Sequence, residues 1–477
     1  MSQSEELPRS WARVRLGDVV PYGEAEKAEP ADIPADAWML ELEDIEKDSS
    51  LLIERVRYSD RKSRSTKNRF RQGDVLYGKL RPYLNKVLIA DRDGYCTTEI
   101  VPIRATAAVD RRYLFYWLKH PEFLEYVTGV SHGLNMPRLG TDAGRNAPFI
   151  LAPLREQRQI AAALDSIFQR LGRCRQRLEV VPALLKRIRE AVLEAAVSGR
   201  LTEEWRQVHG IDQSSWRSAK IGELVTALNG RAFPSIDYSC NGVRLVRPGN
   251  LHPSGRVQWN DQNTVRLPES YTHTHKQYLL GQGELLMNLT AQSLKDNFLG
   301  RVCIKDDPEP VLLNQRICAF RSIGPEDVRP YLFVYFRAPS FRRFVDTLDT
   351  GTLIKHMYTK DVLAHEVSLP TQAEQQEIFR RVDALFTLAA NLEGQCGEAK
   401  LRIDRLMPAI LTKAFEGQLV AQDSSEELSR EMLERIKGGH EAREPSELRR
   451  PLGSVHGPGR GKKAIVAGRE PRERKRA

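Results

Sequence analysis

Residues 156–201 read EQRQIAAALDSIFQRLGRCRQRLEVVPALLKRIREAVLEAAVSGRL, and their apolar positions recur in alternating steps of four and three. The row runs Ile160, Leu164, Ile167, Leu171, Cys174, Leu178, Val181, Leu185, Ile188, Val192 and Ala195. A heptad seam of this length predicts one long helix that needs a partner helix beside it. At about 1.5 Å of rise per residue it spans roughly 60–70 Å, more than a small domain is wide. The plainer reading is a core helix of an ordinary domain, but so long a seam is rarely kept unbroken in a globular core.

The partner lies in the same chain. Adding 218 to each position gives Ile378, Val382, Leu385, Ala389, Leu392, Cys396, Ala399, Ile403, Leu406, Ile410 and Lys413, and only the last breaks the pattern. Outside the seam, Glu156 and Gln157 recur as Glu374 and Gln375, Asp165 as Asp383, Phe168 as Phe386 and Gly199 as Gly417. The match reaches back through YLF at 113–115 to YLF at 331–333, and Trp11 and Trp216 open the two copies. The chain is a tandem duplication, each copy a globular part followed by a long helix. A pseudo-two-fold axis perpendicular to the helices forces them antiparallel. Ile160, Leu164, Ile167, Leu171, Leu178 and Leu185 are then expected to pack along Ile378, Val382, Leu385, Leu392, Ile403 and Leu406.

The boundaries are signalled. Pro153 precedes the first helix, TQAE at 371–374 reads as a capping box for the second, and Gly199 and Gly417 sit at helix ends. Pro182 and Pro408 fall inside the helical patterns and should kink or interrupt them. Residues 424–437 could add a short helix, and the Gly/Pro/Arg-rich remainder reads as disordered. The parse is 1–152 and 211–369 for the globular parts, 153–210 and 370–422 for the helices, and 423–477 for a basic extension.

The net charge of the 477 residues is +10, but residues 441–477 alone hold eleven Lys/Arg against five Asp/Glu. A case for nucleic acid must therefore rest on local clustering. The six cysteines form no CxxC pair and read as reduced, buried thiols of a cytoplasmic protein. No apolar run approaches 18 residues, so no membrane span is expected, and the polar start MSQSEELPRS is not a signal peptide.

Residues 55–71, RVRYSDRKSRSTKNRFR, hold eight basic residues against one acid. Lys62, Arg64, Lys67, Asn68 and Arg69 combine charge with hydrogen-bonding groups, which suits phosphate and base-edge contacts; a solvated basic loop is the alternative. Next, QGDVLYGKLRPYLNK at 72–86 reads as turn, buried strand and loop, presenting Lys79, Arg81 and Lys86. Its counterpart GQGELLMNLTAQ at 281–292 keeps the apolar frame and presents Asn288, Thr290 and Gln292 instead. Exchanged polar tips on one frame fit two sites that read different bases. Arg138 and Lys355 sit where each globular part approaches its helix, and Arg231, Asn250 and Lys295 complete the DNA-contact candidates. Residues 113–127 read as one aromatic, core-packing helix, and 38–45 as a strand.

No G-x-x-x-x-G-K-[ST], no G-x-G-x-x-G opening a helix after a strand, and no [DN]-P-P-[YF] loop is present. His273 and His275 lack a third ligand, so no metal site is expected. The sequence reads as a binder and not an enzyme, with no cofactor of its own.

Two variable globular parts alternating with two near-repeated helices resemble the specificity subunit of type I restriction–modification enzymes. The resemblance covers residues 8–437. It rests most on PLREQRQI at 153–160 with its copy ending at Ile378, on SGRL at 198–201 and FEGQL at 415–419, and on GDVLYGKLRP at 73–82 and GVRLVRPGNL at 242–251. It implies a mixed α/β (α+β) fold with two target recognition domains separated by two antiparallel coiled-coil spacer helices. Each domain would read one half of a bipartite, asymmetric site in double-stranded DNA. The helices would dock two methyltransferase subunits, which use S-adenosylmethionine for adenine methylation, and restriction/translocase subunits using ATP and Mg could join. Homo-oligomerisation is not required. Thr371 and Gln372 depart from the Pro-Leu of the first helix start. The rival readings are a stand-alone sequence-specific regulator and a DNA-modifying enzyme with an unrecognised site.

Overall fold

A computed structural model describes residues 7–61, 64–133, 135–292, 297–348, 355–422, 429, 431 and 434. The chain forms two compact units, Met1–Leu164 with Ile410–Ala477, and Asp165–Ala409. Both mix helix and strand, and each repeats the other's plan.

In the first unit, strand Ala12–Arg15 pairs antiparallel with Pro148–Leu151. A three-stranded sheet runs Val87–Ile89, Val75–Gly78, Ile100–Ile103, beside a five-stranded sheet with one parallel pair, Trp38–Leu40 with Gly94–Cys96. In the second unit, Arg217–Lys220 pairs with Glu366–Leu369, and Val302–Ile304, Leu285–Asn288 and Ile317–Ser322 lie side by side. The parallel pair recurs as Val243–Val246 with Val311–Leu313.

Two short corrections follow from local chemistry. Residues 113–127 are split between helices Arg111–Trp117 and Pro121–Val130, because Pro121 takes the first position of a new helix whose N-cap is His120. The strand expected over 38–45 stops at Leu40, and Leu42–Asp44 is a 3-10 turn held by Glu41 N donating to Asp44 Oδ2.

The long helices are Leu154–Val197 and Gln372–Phe415, 44 residues each. Pro182 and Pro408 lie inside them without ending them. Both prolines are on exposed positions, where the carbonyl each ring displaces can turn to water. The capping box does not form. Glu374 points into the second unit, and Thr371 Oγ1 is buried without a partner.

Within the second unit the helices are antiparallel. Arg175 pairs with Asp404 at 3.0 Å and Arg189 with Glu393 at 2.8 Å, so one number rises as the other falls. Burial divides the residues expected to form the seam. Val382, Ala389 and Ile403 are buried, as are Ile160, Leu164, Leu185 and Ile378, while Ile167, Leu171 and Leu178 are half-buried. Leu385, Leu392 and Leu406 are exposed by 38%, 42% and 45%, which removes them from the seam. One residue after each, Phe386 is half-buried against the second unit's core, Glu393 pairs with Arg189 and Met407 is half-buried. The second helix is apolar on two sides, and the heptad rule alone does not say which side meets the partner.

The duplication is clearest where each globular part meets a helix start. Trp11 Nε1 donates to Glu156 Oε2 at 2.6 Å, and Trp216 Nε1 to Glu374 Oε2 at 2.8 Å. Tyr113 Oη donates to the Ile150 carbonyl and Tyr331 Oη to that of Ser368. Gln157 and Gln375 bond the carbonyls of Ala152 and Pro370. Helix ends repeat too. Phe415 enters an aromatic socket of the first unit, 4.8 Å from Tyr113 and 5.0 Å from Trp117, while Leu193 and Ala196 join the second unit's core.

His120 completes the socket, stacked on Trp117 at 4.8 Å, and its Nδ1 accepts from Glu122 N. Burial, with Arg13 nearby, lowers its pKa to about 4. The unfolded imidazole titrates near pH 6.5, so between those values the unfolded chain binds the proton more readily. Stability is full above pH 6.5 and falls as pH drops towards 4, by about 3 kcal/mol for this group. His120→Asn keeps a cap acceptor and removes the titration. Urea titrations at pH 7 and 4.5 are expected to show a smaller acid loss in this variant; an equal loss would refute the assignment.

Cys96, Cys303 and Cys318 are buried, but Cys174 and Cys240 are exposed and Cys396 is intermediate, which corrects the expectation of buried thiols throughout. No described helix is long and apolar enough to cross a membrane. Residues 424–437 and the tail lie largely outside the described residues.

Candidate nucleic-acid interface

Three loops of the first unit meet at one end of its three-stranded sheet. Lys79 N donates to the Glu99 carbonyl at 2.9 Å, and Leu139 N to the Lys79 carbonyl at 3.0 Å. Arg81 N donates to the Pro137 carbonyl, and Leu80 bridges Arg138. These backbone bonds bring Lys79, Arg81 and Arg138 together, with Arg138 Nε 3.1 Å from Glu99 Oε1. The third loop joins through Asp48 N, which donates to the Leu84 carbonyl. Lys119 fastens it from beneath, its Nζ donating to the Asp48 carbonyl and to Ser50 Oγ. Burial lowers the Lys119 pKa to about 8.

This region stores backbone strain. Among the described residues, five non-glycine residues have positive φ, and Asp48, Ser50, Arg81 and Asn85 are four of them. Such conformations persist only where the surroundings enforce them, and they gather at functional loops. The exposed surface carries Tyr83 and Met136 beside the three cations.

The second unit builds the same frame with other side chains. Leu289 N donates to the Arg316 carbonyl, Met357 N donates to the Leu289 carbonyl, and Thr290 pairs with His356. Leu289 thus stands where Lys79 stands, Arg316 for Glu99 and His356 for Arg138. This corrects the alignment by one residue: Asn288 answers to Gly78 and Ala291 to Arg81. Arg231 N donates to the Leu313 carbonyl and Gln315 N to the Arg231 carbonyl, which adds exposed Arg231 and Gln315 to the cluster. Exposed Tyr358 follows, with Lys360 Nζ 5.4 Å from its ring centre.

Several expected contacts belong to the interior. Asn288 is fully buried, its Nδ2 bonding the Thr290 and Phe298 carbonyls. Asn250 is fully buried and caps a 3-10 turn by accepting from Arg247 N. Asn68 donates to the Ile100 carbonyl, and Lys67 lies inside, its Nζ on Ser65 Oγ, its pKa lowered by burial. Lys86 is half-buried and spends its ammonium on the Leu42 carbonyl. Polar groups satisfied inside the fold cannot also reach a duplex. Arg69, on the strand Lys67–Phe70, pairs with Glu26 of the edge strand Glu26–Ala28. Arg64 and Gln292 are exposed, Thr290 and Lys355 are half-buried, and Lys62 and Lys295 lie outside the described residues.

Asp48, Ser50, Tyr83, Gln315, Arg316, His356 and Tyr358 lie in or beside these loops and are not among the residues singled out from the sequence. Only the repeat offered a signal, since the 218-residue offset of the helices already places His356 opposite Arg138. Among the described residues no group of three or more His, Cys, Asp or Glu could hold a metal ion.

Residues 213–397 match the family described as Type I restriction modification DNA specificity domain. The specificity subunit of the type I restriction enzyme EcoKI from Escherichia coli strain K12 is 29% identical over 337 residues, 68% of this chain and 71% of that one. That of MjaVIII from Methanocaldococcus jannaschii is 22% identical over 405 residues, 84% of this chain and 92% of that one. Among solved structures, the HsdS subunit from Thermoanaerobacter tengcongensis aligns with a TM-score of 0.59 at 20% identity, covering 87% of this chain and 99% of that one. A chain from a study of the assembly and conformational transition of the type I R-M system aligns at 0.64 and 21% identity, with the same coverage. The two structural matches support the mixed helix-and-strand fold with its long helices.

Proposed function

We propose that this chain, a relative of the type I restriction-enzyme specificity subunits that carries their DNA specificity domain, is the non-catalytic, DNA-reading subunit of a type I restriction–modification complex. One observation supports the reading most. A duplicated backbone frame presents two loop clusters with different side chains, half-buried Lys79 and Arg81 with exposed Arg138 in one, and exposed Arg231, Gln315, Arg316 and His356 in the other. A frame kept twice with its tips exchanged suits two unlike half-sites of one asymmetric target. Residues 1–152 and 211–369 then act as target recognition domains, 153–210 and 370–422 as spacers, and 423–477 as an extension.

The partners follow from the reaction. Methylation and cleavage need S-adenosylmethionine and ATP chemistry, assigned to methyltransferase and restriction/translocase subunits in the cytoplasm. The exposed Val180, Leu184 and Ile188 of one helix and Leu388, Leu392 and Leu401 of the other supply an apolar surface for docking the methyltransferase subunits.

The test is mapping of methylated adenines in cells expressing the chain with its methyltransferase subunit. Replacing Lys79, Arg81 and Arg138 together by alanine is expected to relax one half of the methylated sequence and leave the other unchanged. In binding assays the salt slope should fall by about 0.9 for each phosphate that the variant no longer neutralises. Uniform methylation before and after the change would overturn the reading.

A further inference from the structure

The three-loop cluster of the first unit holds one side chain that charge does not explain. Tyr83 lies in the 3-10 turn Pro82–Leu84, exposed by 48%, between Arg81 and Asn85. Both neighbours are left-handed, φ 50° and 48°, although neither is glycine. Proline fixes the turn's first residue, and Asn85 N closes it on the Pro82 carbonyl. From outside the turn, Arg81 N holds the Pro137 carbonyl and the Leu84 carbonyl accepts from Asp48 N. Met136 is exposed on the loop that Arg81 grips.

A chain free to relax would fold a tyrosine down on the apolar surface beside it. Here two strained residues and bonds from both neighbouring loops hold the ring out. The backbone that carries the ring is thus fixed before binding, and a tyrosine has only two side-chain torsions to lose, which is how an aromatic anchor gains affinity. Lys79, Arg81 and Arg138 stand on the same loops, so the surface that presents the ring also attracts a polyanion.

We propose that Tyr83 is a base-contacting wedge, its ring packing against bases of the half-site that the first unit reads, while the three cations contact base edges and phosphates around it. The inference rests on the DNA-reading function proposed above. It assigns the ring a sequence-dependent, salt-independent part of the binding, because stacking on bases displaces no condensed counterions.

The experiment uses the full chain assembled with its methyltransferase subunit, on duplexes carrying the mapped target, from low to moderate salt. Tyr83→Ala is expected to weaken binding about tenfold at every salt concentration, leaving the slope of log affinity against log salt unchanged. Tyr83→Phe should bind as the parent does, because the ring and not the hydroxyl makes the contact. A 2-aminopurine scanned through the half-site should change fluorescence at one step in the parent and not in Tyr83→Ala. Thermal melting of each variant checks that the exposed substitution leaves the fold intact. Unchanged affinity in Tyr83→Ala overturns the wedge, and so does a flatter salt slope, which would make the ring a support for the cations. If the parent itself does not prefer its target, the DNA-reading function fails, and the wedge with it.

Discussion

Replacing Glu374 by alanine is expected to destabilise the second unit by about 3–5 kcal/mol. The carboxylate is fully buried at the start of the second long helix. Its Oε1 accepts from Arg206 Nη1 at 2.5 Å and Thr202 Oγ1 at 2.6 Å, and its Oε2 from Trp216 Nε1 at 2.8 Å. Arg206 is itself buried, with its guanidinium 5.9 Å from the Trp216 ring centre. Alanine therefore leaves an uncompensated cation and two orphaned donors, and those terms, more than the missing attraction, set the size of the effect. Glu374→Gln keeps an acceptor and loses the charge, so a smaller loss is expected. Replacing Glu374 and Arg206 together by methionine should recover most of the stability, because neither charge then has to be desolvated. Urea unfolding of the full chain gives the three values. A loss below about 1 kcal/mol for Glu374→Ala would mean that water reaches the site and that the pair contributes as little as an exposed one.

The second expected result concerns the paired helices as a spacer. Four residues inserted in each helix between the two ion-pair rungs, Arg175–Asp404 and Arg189–Glu393, lengthen both sides equally. Each insertion adds about 6 Å of rise and a rotation of roughly 40°, a stutter that a heptad seam absorbs by local unwinding. If the pair sets the distance between half-sites, the methylated sequence should keep both halves and gain up to about two base pairs between them. Insertion in one helix alone leaves its partner short and shifts both rungs out of register, so loss of assembly is expected there. Methylation mapping reads all of these outcomes. An unchanged gap in an active complex carrying both insertions would reduce the helices to a docking surface.

Much of the fold was legible because the chain states it twice. The 218-residue offset fixed both long helices, and the glutamates that the repeat aligned, Glu156 and Glu374, hold the two tryptophans that open the copies. The helix seam was harder, since leucines line two sides of residues 372–415 and the heptad rule favours whichever side is richer. The interface was harder still. Asn68, Asn250 and Asn288 look like base readers, but the same amides cap turns and bridge loop carbonyls. The repeat held a warning, since Asp44 caps its turn as Asn250 does, and a polar residue filling one structural place in both copies is more often framework than reader. Strain at Arg81 had no trace in the sequence, because arginine is not a residue from which a left-handed backbone is expected, whereas Asn85 belongs to a type that adopts it more readily.

The socket that receives Phe415 bears on how the protein is made. Tyr113 and Trp117 precede Phe415 by about 300 residues, and ribosomes add about 5–20 residues per second. The first half therefore leaves the ribosome with an open aromatic hole and waits roughly 15–60 s for the segment that fills it. Its partner half needs only Ile378 and Val382, which emerge soon after the strand Glu366–Leu369. The part synthesised first is thus the part finished last, and during that interval it is the half most exposed to aggregation and to chaperone capture.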